Sequence, residues 1–200
     1  AHLIQAARSQ AEGTLARETA GDLHALEALS VLDTLDTPVA MAVLGDVPDP
    51  PAFLARLAGR GDLVQQGRDG LEFITPVRDR LQAGLLARVG EEGVRILQRC
   101  AADALREAGD VARSIDRRIA AGDFDDAMKE VLAHFPNLVA TAGLARVGSW
   151  LALVPPALRE AGAAGEVARR IGELAERDEA THASTPQATR RGPMLLSVLL

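Results

Sequence analysis

A chain of 200 residues can bury one good core or two small ones. With hydrophobic residues at 48%, charged residues at 25% and aromatics at only 2%, that core must be built from Leu, Val, Ile and Ala, which suits close-packed helices. The net charge of −6 argues against a chain that coats nucleic acid or an anionic membrane. The single cysteine, Cys100, excludes an internal disulfide and fits a reducing compartment.

The first twenty residues are helix-compatible, with Leu3, Ile4, Ala7 and Leu15 as sparse apolar positions and an interruption at Glu12-Gly13-Thr14. They read as a leader helix, 1–20. Asp22 is a candidate N-cap for a helix running to Leu35, whose leucines cover more than one face. Thr37-Pro38 opens a short helix that Gly45 closes, since proline is tolerated in a first helical turn and glycine just past a last one. The rigid connector Val47 to Pro51 then launches a third helix with Phe53, Leu54 and Leu57 as its apolar stripe. Two short extended runs, Asp62 to Gln66 and Leu71 to Thr75, flank Gly67-Arg68-Asp69-Gly70 and predict a β-hairpin. Three short helices followed by a hairpin are the order of a winged helix, assigned to 21–89. Its closing helix, Pro76 to Val89, carries Val77, Leu81, Leu85 and Leu86 at helical spacing.

Gly90 separates that module from a helical array over 90–180. Its first helix, Glu91 to Ala108, places Val94, Leu97, Ala101 and Leu105 on one stripe, with Ile96 and Cys100 beside it. The punctuation Ala108-Gly109-Asp110 recurs as Ala121-Gly122-Asp123. In each, glycine reaches the left-handed conformation of a helix end and aspartate can cap the following helix. A third stop, Ala142-Gly143, follows the first by 34 residues, the period of tetratricopeptide-type helix pairs. A last helix is expected over Ala163 to Asp178. The polar stretch Thr181 to Arg191 reads as a linker, and the ending MLLSVLL as an apolar segment within 181–200.

Catalytic and cofactor chemistry finds little support in these residues. Lys129, the one lysine, follows Met128 in a predicted helix and belongs to no phosphate-binding loop. Gly59-Arg60-Gly61 follows a helix rather than a strand, and its third glycine position is Val64. The histidines His2, His24, His134 and His182 are scattered without metal-ligand spacing, so no metal, cofactor or enzyme activity is expected. Cys100 reads as a buried, inert thiol, Asp123-Phe124-Asp125-Asp126 as helix-start acids, His134 as a contact at a helix end and Trp150 as a packing anchor. From residue 29 to residue 89 six arginines face eight carboxylates. A DNA-binding reading has to rest on Arg56, Arg60 and Arg68, too few phosphate partners for strong binding. No apolar run reaches the length of a membrane span, and the start lacks the order of a signal peptide, so a cytoplasmic protein with no membrane partner is expected.

Order and wording from about Leu29 to Arg159 resemble the middle of MalT-like, LuxR-family bacterial transcription regulators of the STAND class of signal-transduction ATPases. The phrases that carry the resemblance are Ala101-Ala102-Asp103 with Glu107-Ala108-Gly109-Asp110, Ala121-Gly122-Asp123-Phe124 with Ala127, and Trp150-Leu151 with Leu153-Val154-Pro155-Pro156. The abundance of Arg, Ala and Gly also suits a GC-rich bacterial genome. The resemblance implies a regulatory segment that links a nucleotide switch to a sensor superhelix. Its partners would be an ATPase domain of the same parent protein and a protein or small-molecule inducer held by the array. One position departs from the family pattern. Where such proteins commonly have His-Pro after the wing, this chain has Thr75-Pro76, so nucleotide contact is not carried over to Thr75. The alternative is a self-standing, dimeric DNA-binding winged-helix regulator using Arg56, Arg60 and Arg68.

Overall fold

The computed structural model describes residues 2–45 and 47–183. The expected linker and apolar ending lie outside them, except that 181–183 complete the last helix. The described chain is mainly helical, in the order α1 (His2–Leu15), α2 (Ala20–Leu29), α3 (Thr37–Leu44), α4 (Pro50–Ala58), β1 (Val64–Gln66), β2 (Leu71–Phe73), α5 (Thr75–Glu107), α6 (Val111–Ala121), α7 (Phe124–Ala133), α8 (Phe135–Ala142), α9 (Leu144–Leu153), α10 (Pro156–Arg159) and α11 (Gly162–Ala183). Among the described residues no helix is long and apolar enough to cross a membrane.

Helix boundaries follow capping chemistry, with two shifts from expectation. The α2 cap is Thr19, not Asp22: its hydroxyl oxygen accepts from the Asp22 amide at 3.1 Å and donates to the Asp22 carboxylate at 2.9 Å. The helix stops at Leu29, well before Leu35, and Ser30 turns its hydroxyl back onto the Glu27 carbonyl at 2.7 Å. Asp49, a left-handed residue at φ 51°, caps α4 by accepting from the Ala52 amide. The hairpin pairs antiparallel with Val64 opposite Phe73 and Gln66 opposite Leu71. The segment after α2 joins it, since the Leu35 amide donates to the Leu71 carbonyl at 2.7 Å.

Two buried clusters organise the fold. The first holds Leu29, Leu63, Leu81 and Leu85 at its centre and takes Ala11 and Leu15 from α1. The expected leader is thus part of this core and runs unbroken through Gly13. Ala101 and Leu105 also belong to the first cluster, so the cores divide beyond Leu105 rather than at residue 90. The second cluster gathers Ile115, Met128, Val131, Val147, Trp150 and Val167 from α6, α7, α9 and α11. Trp150 is fully buried, and its indole Nε1 donates to Asp116 Oδ1 at 2.7 Å, so the expected anchor also carries a polar tether between α6 and α9.

α5 passes from one cluster toward the other as two helical halves. They meet at Gly90, whose φ of 69° and ψ of 179° lie outside helical geometry. Gly109, Gly122 and Gly143 all adopt positive φ at the expected helix stops. Between Gly109 and Gly143, however, lie three helices rather than the pair that the 34-residue period implies. Pro136 has no amide hydrogen to continue the α7 ladder, so the run breaks at His134 and restarts as α8. α11 packs against both α7 and α9 and closes the second cluster. Leu86, one of the expected apolar positions, and Ile96, expected beside its stripe, are exposed; before Gly90 the buried row of α5 is Val77, Leu81 and Leu85.

Backbone conformation and packing make opposite demands on two glycines. Gly122 sits at φ 82° with open space around it, so Gly122→Ala should lower stability by about 1–2 kcal/mol through conformation alone. Gly148, inside α9 and equally unobstructed, should gain roughly 0.5–1 kcal/mol as Gly148→Ala. Urea unfolding of both variants checks the two signs.

Candidate functional site

Charged side chains from α6 reach back across the chain to the segment between α2 and α3. Arg113 and Arg117 are four residues apart and therefore share one face of α6. Arg113 bonds Thr34 Oγ1 and Asp36 Oδ2, while its Nε donates to Asp110 at 2.6 Å. Arg117 donates to the Val31 carbonyl, to Asp33 and, at 3.3 Å, to Gln98. Asp33 also accepts from Arg78 Nη2 at 2.5 Å, on the first half of α5. The segment that receives these arginines is tied to the hairpin through Leu35 and Leu71. α6 is thereby fastened to α2, α3, α5 and β2 together.

Further contacts reinforce this junction. Arg99 forks onto Asp123 with Nε and Nη2 at 2.8 and 2.9 Å, which fastens α5 to the start of α7. The expected capping role of Asp123 is not realised: its carboxylate goes to Arg99 and makes no bond to the α7 amides. Asp110, by contrast, caps α6 by accepting from the Arg113 amide at 3.1 Å. Arg118 lies beneath the surface, donating to Glu130 Oε2 at 2.9 Å and Asp103 Oδ1 at 2.7 Å, and so links α5, α6 and α7. Cys100 is half-buried and its thiol donates to the Ala42 carbonyl at 3.3 Å, joining α5 to α3. Burial, with a smaller contribution from the Asp103 charge, pushes the Cys100 thiol up and keeps it protonated. His134 stands at the α7–α8 break, where its carbonyl accepts from the Leu138 amide at 2.9 Å.

The electrostatics of Asp33 set a pH dependence. Burial opposes ionisation of its carboxyl, yet the charges and hydrogen bonds of Arg117 and Arg78 outweigh it and hold the group below the usual carboxylate range. The Asp123 carboxyl is likewise held low, chiefly by the Arg99 hydrogen bonds.

The three arginines of the DNA-binding alternative are not equivalent. Arg60 is engaged by Asp62 at 2.8 and 3.0 Å and by Glu18 at 2.8 Å. Arg56 lies 3.4 Å from Asp22 and over the Phe53 ring, with 65% of its side chain exposed. Both line one small cavity beside Leu57 and Leu63. Arg68 stands apart in the hairpin turn, exposed and without an ion pair among the described residues. Among the described residues no three or more His, Cys, Asp or Glu side chains are gathered as a metal would require.

A groove of about 850 Å³ lies between α2, the α3–α4 connection and α5 on either side of Gly90. Its walls include Ala28, Val43, Phe53 and Leu97, and Arg56 and Arg88 stand on it. Pattern reading overlooked both this groove and the junction. The one available signal for the junction was complementary spacing, Asp33 with Asp36 against Arg113 with Arg117. Comparison with protein-family models, curated proteins and solved structures finds no match.

Arg117 is 12% exposed at its side chain and serves a backbone carbonyl as well as a carboxylate, so Arg117→Met should cost about 1–3 kcal/mol. Arg95→Met, which removes only exposed pairs within α5, should change stability by no more than about 0.5 kcal/mol. Because the folded-state value of Asp33 is depressed, its contribution is present above the unfolded value near 4 and is lost as pH falls through the folded value. Unfolding midpoints should therefore drop as pH is lowered from about 5 to about 3, and less steeply in Asp33→Asn.

Proposed function

We propose that this chain is a regulatory, signal-transmitting segment of a MalT-like transcription regulator, connecting a nucleotide switch to a ligand- or protein-sensing helical array. The observation that carries the reading is the junction of Arg113 and Arg117 with Asp33, Thr34 and Asp36, which fastens one buried cluster to the other. A connector has to pass a displacement from one body to the next, and partly buried ion pairs with a shared long helix do that better than a flexible linker. The order α2, α3, α4, β1, β2, α5 supports a winged-helix assignment for the first body. The glycine stops after α6 and α8 support a tetratricopeptide-like reading of the second, with the α7–α8 break as an addition. No residue is assigned to catalysis. The array would present its surface to an inducer or protein partner.

Two specific outcomes test this reading. The reading frame that encodes the chain is expected to carry a phosphate-binding loop upstream of Ala1, and a start codon with nothing before it would contradict the switch assignment. In low-salt gel shifts with duplex DNA the folded chain is expected not to bind. Salt-sensitive binding that disappears in Arg56→Ala, Arg60→Ala and Arg68→Ala variants would favour the DNA-binding alternative instead.

A further inference from the structure

The groove beside Gly90 combines three features that together describe a ligand. The first is size: about 850 Å³ lies within the range of small-molecule pockets. The second is uncovered apolar surface. Ile96 is 56% exposed and lines this groove together with Val43 and Phe53, so a large aliphatic side chain borders an apolar hollow and stays mostly uncovered by the described residues. The third is spare positive hydrogen-bonding capacity. Arg88 uses Nε on Glu27 Oε2 at 2.7 Å, and its two terminal nitrogens have no hydrogen-bond partner among the described residues. Arg56 is mostly exposed and only loosely held by Asp22 at 3.4 Å. Asp22 also lines the groove and offsets part of the Arg56 charge, so Arg88 is the main anchor for an anion.

We infer that this groove binds a small apolar carboxylate, such as a medium-chain fatty acid, with its tail against Ile96 and Phe53 and its carboxylate on Arg88 and Arg56. Guanidinium groups match carboxylate geometry and form charge-assisted hydrogen bonds, whereas an amine of the same length meets two arginines of like charge. The position gives the ligand leverage. Arg88 and Val89 precede the non-helical Gly90, and Gly93 and Ile96 follow it, all four on the groove. An occupant touches both halves of α5 and holds the angle between them. The inference stands apart from the connector reading, which rests on α6 and remains if the groove takes no ligand.

Titration of the whole chain with octanoate, octanol and octylammonium, followed by amide NMR and calorimetry, tests this. Octanoate is expected to bind saturably, with the amides of Gly90, Gly93 and Ile96 among those that shift, and octylammonium at least tenfold more weakly. Ile96→Asp changes an exposed position, so its fold is retained, and it should weaken octanoate at least tenfold. Arg56→Gln should weaken it several-fold with helix content unchanged. Absence of saturable octanoate binding would overturn the inference, as would equal binding of all three compounds. A concentration-dependent dimer that Ile96→Asp dissolves, without octanoate binding, would give the groove to a second copy of the chain and equally overturn it.

Discussion

The ion pairs that Arg113 and Arg117 make with Asp33 and Asp36 are the constraint on which the arrangement depends. Each buried cluster could hold together on its own, because each has a set of leucines, valines or isoleucines removed from water. Packing of α6 along the second half of α5 brings them together, and the ion pairs add a directional restraint to that packing. The helical ladder of α5 is interrupted at Gly90, within the span of the first cluster, and the junction has bonds on both sides of that break: Arg78 before it, Gln98 and Arg99 after it, and α6 beyond. Arg117 also satisfies the Val31 carbonyl, so losing this arginine would leave a backbone acceptor short of a partner as well as a carboxylate.

Local punctuation in the sequence proved the most legible feature. Glycine at 109, 122 and 143 ends helices for a reason that needs no tertiary context, the low cost of positive φ without a Cβ. The hairpin was equally local, since Gly67-Arg68-Asp69-Gly70 lies between two short extended runs. What local reading could not supply was competition for a side chain. Asp123 has the identity and position of a cap, yet a guanidinium 24 residues earlier in the chain takes its carboxylate. Asp22 was expected to cap α2, but Thr19 takes the cap position and its hydroxyl also donates to the Asp22 carboxylate. The exposure of Leu86 was hidden because it adjoins the buried Val77, Leu81 and Leu85 row, and apolar identity alone does not say which of two neighbouring leucines turns inward. The pairs that join the clusters span 77 to 84 residues of sequence, beyond the reach of any periodicity.

The site follows the same division. Cys100 was expected to be buried, yet it is half-buried, with its thiol bonded to the Ala42 carbonyl. Arg56, Arg60 and Arg68 were singled out for their charge, but structure gives each a different degree of freedom: Arg60 is committed to two carboxylates, Arg56 is loosely held, and Arg68 is exposed at a turn. A charge count alone treats them alike. The proposed role as a connector draws on where charges are spent, since the arginines that bridge the two clusters belong to the region expected to sense and not to the region expected to bind DNA.

The most direct test of the central claim follows the two clusters separately during urea unfolding. Trp150, the only tryptophan, reports the second cluster by fluorescence, and the amide NMR signals of Leu29, Leu81 and Leu85 report the first, with circular dichroism as the global measure. The account predicts coincident transitions in the native sequence and separated ones after combined Asp33→Asn and Asp36→Asn substitution. Transitions already separate in the native sequence, or still coincident in the double variant, would contradict the claim that these ion pairs make the two clusters act as one.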